Sequence, residues 1–412
     1  MANQPQQMTG QQLIANNAQM RAALLATSPR MRKNLGVFSG GTLGGTTRIK
    51  LYNVGIITRL LLKVSVSVDI GTATATLSPQ APFNLISRIR LTDFDGTDRI
   101  NCTGFELFLI NSVRNGGYYG YNNDYAPAVN SSSGSINVPA AVLSNPVVPT
   151  VVATGKILQF YLEVPLAFDP EKDLRGAILA QTALGEMYLN IDWNSLLYSF
   201  STVGNADAVY NGASTSTVVV TAGTTINVQV WQEFLLPQTL GGQVPLPQLD
   251  LLTVYEIAGT IKSSDNLAAN TEKLINFPNV RSVIGAYIRY VNNGQMNSAG
   301  LYDTTGALTA TNDITQFRII ANGNNVLYDN TGEGQLFEQR IKMGSAGADI
   351  RPGTYFFQFR NKPIETALYG NVQLGVTPIT ATSTNFSAYV GFCFESFYTK
   401  GATLPGLSQS SG

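Results

Sequence analysis

From residue 36 onward the hydrophobic positions recur at every second residue. Val64, Val66, Val68 and Ile70 alternate with Ser65, Ser67 and Asp69, and Val228, Val230, Gln232 and Phe234 alternate with Gln229, Trp231 and Glu233. Near the end, Val390, Phe392, Phe394, Ser396 and Tyr398 alternate with Tyr389, Gly391, Cys393, Glu395 and Phe397. A period of two puts successive side chains on opposite faces of a strand. The runs RIKLYNV, LISRIRLTD, ILQFYLEV, EMYLNIDW, SVIGAYIRYV, QFRII, TYFFQFR and NVQLGV are also strand-like, rich in Val, Ile, Thr and aromatics. Such residues fit a pleated, half-buried surface. Gly, Asn, Ser and Pro clusters separate the runs. Many short strands and few long helices predict an all-β chain of sandwich or jelly-roll type.

One segment departs from this period. Over residues 10–27, Leu13, Asn17, Met20 and Leu24 fall at helical spacing, and Ser28-Pro29 stops the helix. The cluster RMRK follows at 30–33. Its charge belongs to a wider asymmetry. Although the chain carries 26 cations and 26 anions, residues 1–68 hold Arg21, Arg30, Arg32, Lys33, Arg48, Lys50, Arg59 and Lys63 and no acid before Asp69. A basic end on an acidic body implies that this end meets something anionic, a membrane surface or nucleic acid. The alternative is a helix packed on a neighbouring subunit with its cations in solvent.

The sharpest boundary is LLPQTLGGQVPLPQLD at 235–250, whose prolines and glycines cannot form a central strand. It predicts a basic helical arm over 1–35, a first β domain over 36–236 with long loop insertions, and a linker over 237–250. A second β domain over 251–400 and a tail over 401–412 complete the division. The halves echo each other. RIRLTDFDGTDRINCTGFELFLI at 88–110 and RIIANGNNVLYDNTGEGQLFEQRI at 318–341 both run strand, polar turn, short strand, helix start. VPLAFDPEKDLRGAILAQ at 164–181 and FRNKPIETALYG at 359–370 each carry a strand through a proline-bearing loop and a short helical turn to the next strand. Two echoes in the same order predict a duplicated domain. The long polar loops over 115–156, 199–224 and 294–313, the first with Tyr118, Tyr119, Tyr121 and Tyr125, are of a length associated with function or interfaces.

Composition narrows the chemistry. Of 412 residues 44% are hydrophobic, enough for a core, but only 13% are charged, about half the usual quarter. There is no histidine, which removes histidine-based nucleophile triads, metal sites and pH switches. Cys102 and Cys393 are too few for a disulfide framework or a zinc site. No signal peptide or membrane-spanning run is seen, so a soluble product made inside the cell is expected. Asp93, Asp95 and Asp98 in DFDGTD lack the spacing of a calcium loop. Asp169, Glu171 and Asp173 in DPEKD read as acids at a helix N-terminus. GGTLGG at 40–45 lacks the Lys-Ser/Thr of a phosphate loop and reads as flexible backbone leaving the arm. No catalytic constellation, cofactor site or metal site emerges, and the expectation is an assembly protein rather than an enzyme.

The order of these features resembles the double jelly-roll major capsid protein of tectiviruses, tailless bacteriophages with a membrane inside an icosahedral shell. The resemblance covers about residues 10–400. It is carried by the N-terminal helix, NVGIITRLLLKVSVSV at 53–68, FNLISRIRLTDFDGTDR at 83–99 and GFELFLINSVRNG at 104–116. VPLAFDPEKDLRGAILA at 164–180, PLPQLDLLTVYEI at 245–257 and RPGTYFFQFRNKPIETALYGNVQLGV at 351–376 extend it. The long loops and the tail depart from the family pattern. The resemblance implies two tandem eight-stranded jelly rolls, with an N-terminal helix and short helices in the connections. It also implies pseudo-hexagonal homotrimers that tile a capsid around an internal membrane, with the long loops as outer towers. The implied partners are the chain itself, neighbouring trimers, minor capsid and vertex proteins, and the viral membrane through the N-terminal arm, with no sequence-specific nucleic acid. Arg21, Arg30, Arg32 and Lys33 are then the expected membrane-facing residues, and the virion capsid the expected location after synthesis in the host cytoplasm. The rival is a jelly-roll spike that attaches to host glycans, although no stalk is visible. A β-sandwich glycoside hydrolase is a third, with no carboxylate pair singled out.

Overall fold

The computed structural model describes residues 10–71, 75–115, 148–181, 185–200, 205–212, 217–238, 244–263, 270–291, 296, 314–343, 353–378 and 389–399. The tyrosine cluster at 118–125, the loop at 294–313 apart from Met296, and the tail at 401–412 lie outside the described residues.

Among the described residues eight principal strands, beside shorter ones, build the first half: β1 Arg30–Gly41, β2 Thr46–Lys50, β3 Ile56–Ile70, β4 Ile86–Thr92, β5 Asp98–Cys102, β6 Ala153–Pro165, β7 Tyr188–Trp193 and β8 Ile226–Leu235. They pair antiparallel as β1-β8-β3-β6 and as β2-β7-β4-β5. Eight more follow: β9 Thr253–Ser263, β10 Lys273–Asn276, β11 Ser282–Val291, β12 Ile314–Ala321, β13 Asn325–Thr331, β14 Thr354–Gln358, β15 Val372–Pro378 and β16 Tyr389–Thr399. These pair as β9-β16-β11-β14 and as β10-β15-β12-β13. Each half therefore has the spatial order 1-8-3-6 in one sheet and 2-7-4-5 in the other. That is the double Greek key of a jelly roll, and the chain is a double jelly roll.

Among the described residues four α-helices accompany the strands: α1 Gly10–Thr27, α2 Gly104–Arg114, α3 Gln248–Leu252 and α4 Gly332–Met343. The first echo in the sequence falls on β4-β5-α2 and β12-β13-α4, and the second on the connections β6 to β7 and β14 to β15. The duplication is one of elements, and α2 and α4 occupy equivalent places. α2 starts at a full capping box. Thr103 Oγ1 accepts from the Glu106 N–H at 3.2 Å, and Glu106 Oε2 accepts from the Thr103 N–H at 2.8 Å.

The two rolls share a sheet. β5 of the first runs parallel to β9 of the second, with Ile100 opposite Ile257 and Asn101 opposite Ala258. The 2-7-4-5 sheet of the first roll thus continues into the 1-8-3-6 sheet of the second. Alternation then sorts the side chains of β16. Val390, Phe392 and Phe394 enter the core of the second roll, whereas Tyr389, Cys393 and Phe397 join the cluster centred on the first.

Three local expectations are corrected. The helix ends at Thr27, and Arg30, Met31, Arg32 and Lys33 open strand β1, paired in register with Leu235 back to Gln232. Strand pairing so begins before residue 36. GGTLGG is the tight turn from β1 to β2, with Gly44 at φ 73°, and not a tether leaving the arm. DPEKD forms a turn closed by an Asp169–Asp173 bridge instead of a helix start. Asp169 Oδ1 there accepts from the Glu171 N–H at 2.8 Å, the local bond with which Asp competes against helix formation.

Candidate functional site

The most elaborate chemistry in the chain lies at the seam between the rolls. Gly259 on β9 stands opposite Cys393 on β16. A Cβ there would come 3.1 Å from Cys102 Cα and 3.2 Å from Cys102 Cβ and would press on Glu106. Only a bare backbone lets the two rolls approach this closely. Both cysteines are buried free thiols. They flank Gly259 across two strand spacings, beyond the Cα separation a disulfide requires.

Two charged groups are sealed beside this glycine. Glu395, fully buried, accepts hydrogen bonds from the Tyr255 and Tyr287 hydroxyls. It faces Arg114 Nη1 of α2 at 3.5 Å and Arg360 Nη2 at 3.7 Å. Arg114 also donates to the Tyr255 hydroxyl at 2.7 Å. Glu106, at the other end of α2, lies 3.5 Å from Arg289 of β11. Burial pushes the Glu106 carboxyl up from its ordinary range, against the pull of Arg289 and the Thr103 N–H. From Arg289 a chain of bonds crosses back: Nη1 donates to Gln80 Oε1 at 2.6 Å, Gln80 Nε2 to the Tyr389 hydroxyl at 2.9 Å, and that hydroxyl to Asp207 at 2.7 Å. Removing one member of such a buried pair leaves an uncompensated charge and costs about 3–5 kcal/mol. The arrangement fixes geometry and offers no open reacting centre.

A second lock ties the N-terminal helix to the linker. Leu13, Asn17, Met20 and Leu24 form the inward stripe, and Leu24 packs with Ile56, Leu174 and Leu235. Asn17 Nδ2 donates to Asp250 Oδ1 at 2.7 Å, and Asn17 Oδ1 accepts from the Leu249 N–H at 2.9 Å. Arg21 Nη1 lies 3.2 Å from Asp250 and 3.6 Å from Asp173. Burial pushes the Asp250 carboxyl up, opposed by Asn17 and Arg21.

The four expected arm cations separate accordingly. Arg21 is half-buried in the lock, whereas Arg30, Arg32 and Lys33 lie exposed on β1. Each has a partner within the chain. Arg30 reaches Glu171 at 3.1 Å and the Pro170 carbonyl at 2.8 Å, Arg32 pairs with Glu233, and the Lys33 ammonium sits 3.5 Å over the Tyr52 ring. Glu233 is also bonded by Arg59. Burial opposes ionisation of Glu233, but the two guanidinium groups prevail and hold its carboxyl below the usual range.

The acidic motifs are structural. Asp93 accepts from the N–H groups of Asp95 and Thr97 at 3.0 and 3.1 Å and from Arg99 Nε at 2.8 Å. Among the described residues no three of His, Cys, Asp and Glu gather to hold a metal, and no helix is long and apolar enough to cross a membrane. The sequence reading missed Gly259, Glu395, Arg114, Glu233 and Asp250. Two signals pointed to them: an acid inside the otherwise uncharged run YVGFCFESFY, and an asparagine interrupting the apolar stripe of α1.

Known proteins align with this architecture over nearly the whole chain. Residues 7–237 match the family described as P3 major capsid protein N-terminal, and residues 252–411 the family described as P3 major capsid protein C-terminal. The chain is similar to the major capsid protein P3 of Enterobacteria phage PRD1, 27% identical over 334 residues, 80% of this chain and 78% of that protein. Among solved structures it is similar to a chain in the atomic structure of Sulfolobus Turreted Icosahedral Virus, with a TM-score of 0.58, 12% identity, and coverage of 90% of this chain and 91% of that one. It is also similar to a chain of the PBCV-1 virus capsid, with a TM-score of 0.54, 13% identity, and coverage of 90% and 94%. At these identities the structures speak to fold alone, and that fold is the double jelly roll.

The seam makes a direct prediction. Gly259→Val should lower stability in urea unfolding by at least about 1–3 kcal/mol, the usual cost of overpacking a core. Stability equal to that of the parent chain would mean that the strands at the seam are free to move apart.

Proposed function

The chain belongs to the P3 major capsid protein family, and from that premise we propose that three copies form a pseudo-hexagonal capsomer which tiles an icosahedral shell around an internal membrane. It is a structural protein of the virion capsid, not an enzyme. The observation that carries the trimer is the duplication. One chain supplies two rolls of identical strand order, joined side by side through a shared sheet. Six similar lateral units suit hexagonal packing, and two per chain require three chains. Contacts between capsomers, and with minor capsid and vertex proteins, must each be weak enough for misplaced units to leave and collectively strong. A surface poor in charge lowers the desolvation cost of such contacts.

In this reading the base of the capsomer lies over the membrane, and β1 with α1 faces it. Arg21 holds α1 to the linker and Arg32 is held by Glu233, while Arg30 and Lys33 present the outward charge. Each cation near an anionic surface contributes about 1 kcal/mol. Their intramolecular partners make binding by a single chain weak and leave the strength to the array.

Two measurements test these statements. Light scattering behind a sizing column should find a salt-resistant species of about 133 kDa, three copies of the 44.2 kDa chain. A 44.2 kDa monomer at micromolar concentration would sink the trimer. For the membrane, binding of the assembled protein to phosphatidylserine vesicles should weaken with salt. It should fall by at least about 30-fold, the loss expected from two cations in a single chain, in the Arg30→Gln, Lys33→Gln variant. Unchanged affinity in that variant would exclude this edge as the lipid-facing surface.

A further inference from the structure

The two rolls carry the same helix at the same place, and among the described residues only the first is covered on its outward side. α2 starts after Thr103, whose hydroxyl accepts from the N–H three residues on, and α4 starts after Thr331, whose hydroxyl accepts from the Gly334 N–H at 3.0 Å. Aligning these caps places Leu109 on Phe337, Val113 on Ile341 and Arg114 on Lys342. Helical spacing puts Leu109 and Val113 on the side of α2 that carries Glu106 and Arg114, the two residues that reach into the second roll. Leu109 and Val113 are accordingly 7% and 9% exposed. Phe337 and Ile341 are 66% and 64% exposed. Two large apolar side chains one turn apart in water are the mark of a contact surface.

The surface that receives α2 is duplicated as well. In the second roll Glu395, Cys393 and Gly391 of β16 stand opposite Gly285, Tyr287 and Arg289 of β11. In the first roll Glu233, Trp231 and Gln229 of β8 stand opposite Arg59, Leu61 and Lys63 of β3. Glu233 so occupies the position of Glu395, Trp231 that of Cys393, Leu61 that of Tyr287 and Lys63 that of Arg289. The alternating neighbours Leu60, Leu62 and Val64 fill the first core, so Leu61, Lys63 and Trp231 point outward, where they are partly exposed. The two carboxylates have matching surroundings. Glu395 is shared by Arg114 and Arg360, and Glu233 by Arg32 and Arg59.

We propose that α4 of one copy docks through Phe337 and Ile341 on the outward β1-β8-β3-β6 face of the first roll of a second copy, against Trp231 and Leu61, with Lys342 directed to Glu233. The contact repeats between chains what α2 makes within each chain. Apolar surface meets apolar surface and a cation meets a buried carboxylate, so the occupant is another copy of this chain. The two patches differ, which makes the contact heterologous, and a threefold rotation closes it. The inference rests on the trimeric reading and specifies its interface.

The test uses the full chain with Phe337→Ser and Ile341→Ser together, followed by sedimentation across a dilution series. Both side chains are exposed, so the circular dichroism of the variant should match that of the parent. Its trimer dissociation midpoint should rise by about 100-fold or more, as expected when two central apolar anchors are lost. A second variant, Leu61→Cys with Ile341→Cys, should give interchain products with a short bis-maleimide linker, while the parent chain with its buried thiols does not. A trimeric parent together with a fully trimeric double-serine variant and no interchain linkage would overturn this interface and leave the trimer standing. A monomeric parent would overturn both.

Discussion

The β9-β16-β11-β14 sheet of the second roll has two buried faces, and much of the molecule follows from that. A jelly roll alone needs only one apolar face per sheet. Here the second face meets the first roll, so nine consecutive residues of β16, Tyr389–Phe397, are all buried. Polar groups on that face must find partners across the seam or stay uncompensated. Glu395 and Arg289 find theirs on and around α2, in Arg114 and Glu106. A continuous backbone ladder through β5 and β9 sets the register, and Gly259 sets the distance. The pairing of rolls is therefore specified by hydrogen bonds and charges as well as by apolar area, and such specificity is the best-attested use of buried polar groups.

This construction suits a shell. A tile must hold its own shape so that its edges meet their neighbours at a fixed angle. The seam fixes the two rolls relative to each other, and the Asn17–Asp250–Arg21 lock fixes the N-terminal helix on the linker that joins them. The basic N-terminal segment thereby combines two roles. Arg21 is internal mortar, and Arg30, Arg32 and Lys33 remain outward on an edge strand, each steadied by partners within the chain. Edge strands in natural sheets carry charge in this way to prevent indiscriminate pairing.

Much of the fold was legible because alternation is a property of single strands. Val64–Ile70, Val228–Phe234 and Tyr389–Tyr398 were all readable as strands, and the polar turns between them marked the Greek-key connections. The duplication was readable because the same order of strand, turn, strand and helix recurs at β4-β5-α2 and β12-β13-α4. Less legible was anything that depends on what a second face meets. Alternation in β16 suggests a half-buried strand, yet Tyr389, Cys393 and Phe397 on its other face are as buried as Phe392 and Phe394. β1 escaped notice because three basic residues and three glycines interrupt its few apolar positions, and it is held by backbone pairing to β8 more than by an apolar pattern of its own. The seam residues come from segments up to 309 positions apart, as between Gln80 and Tyr389, and no local pattern encodes that meeting.

The claim that one seam makes two rolls into one body is tested most directly by differential scanning calorimetry of the full chain. The account predicts a single cooperative endotherm in which both rolls unfold together, because separating them exposes Glu395, Glu106 and their arginine partners along with a whole sheet face. Two well-separated endotherms, one for each roll, would contradict it.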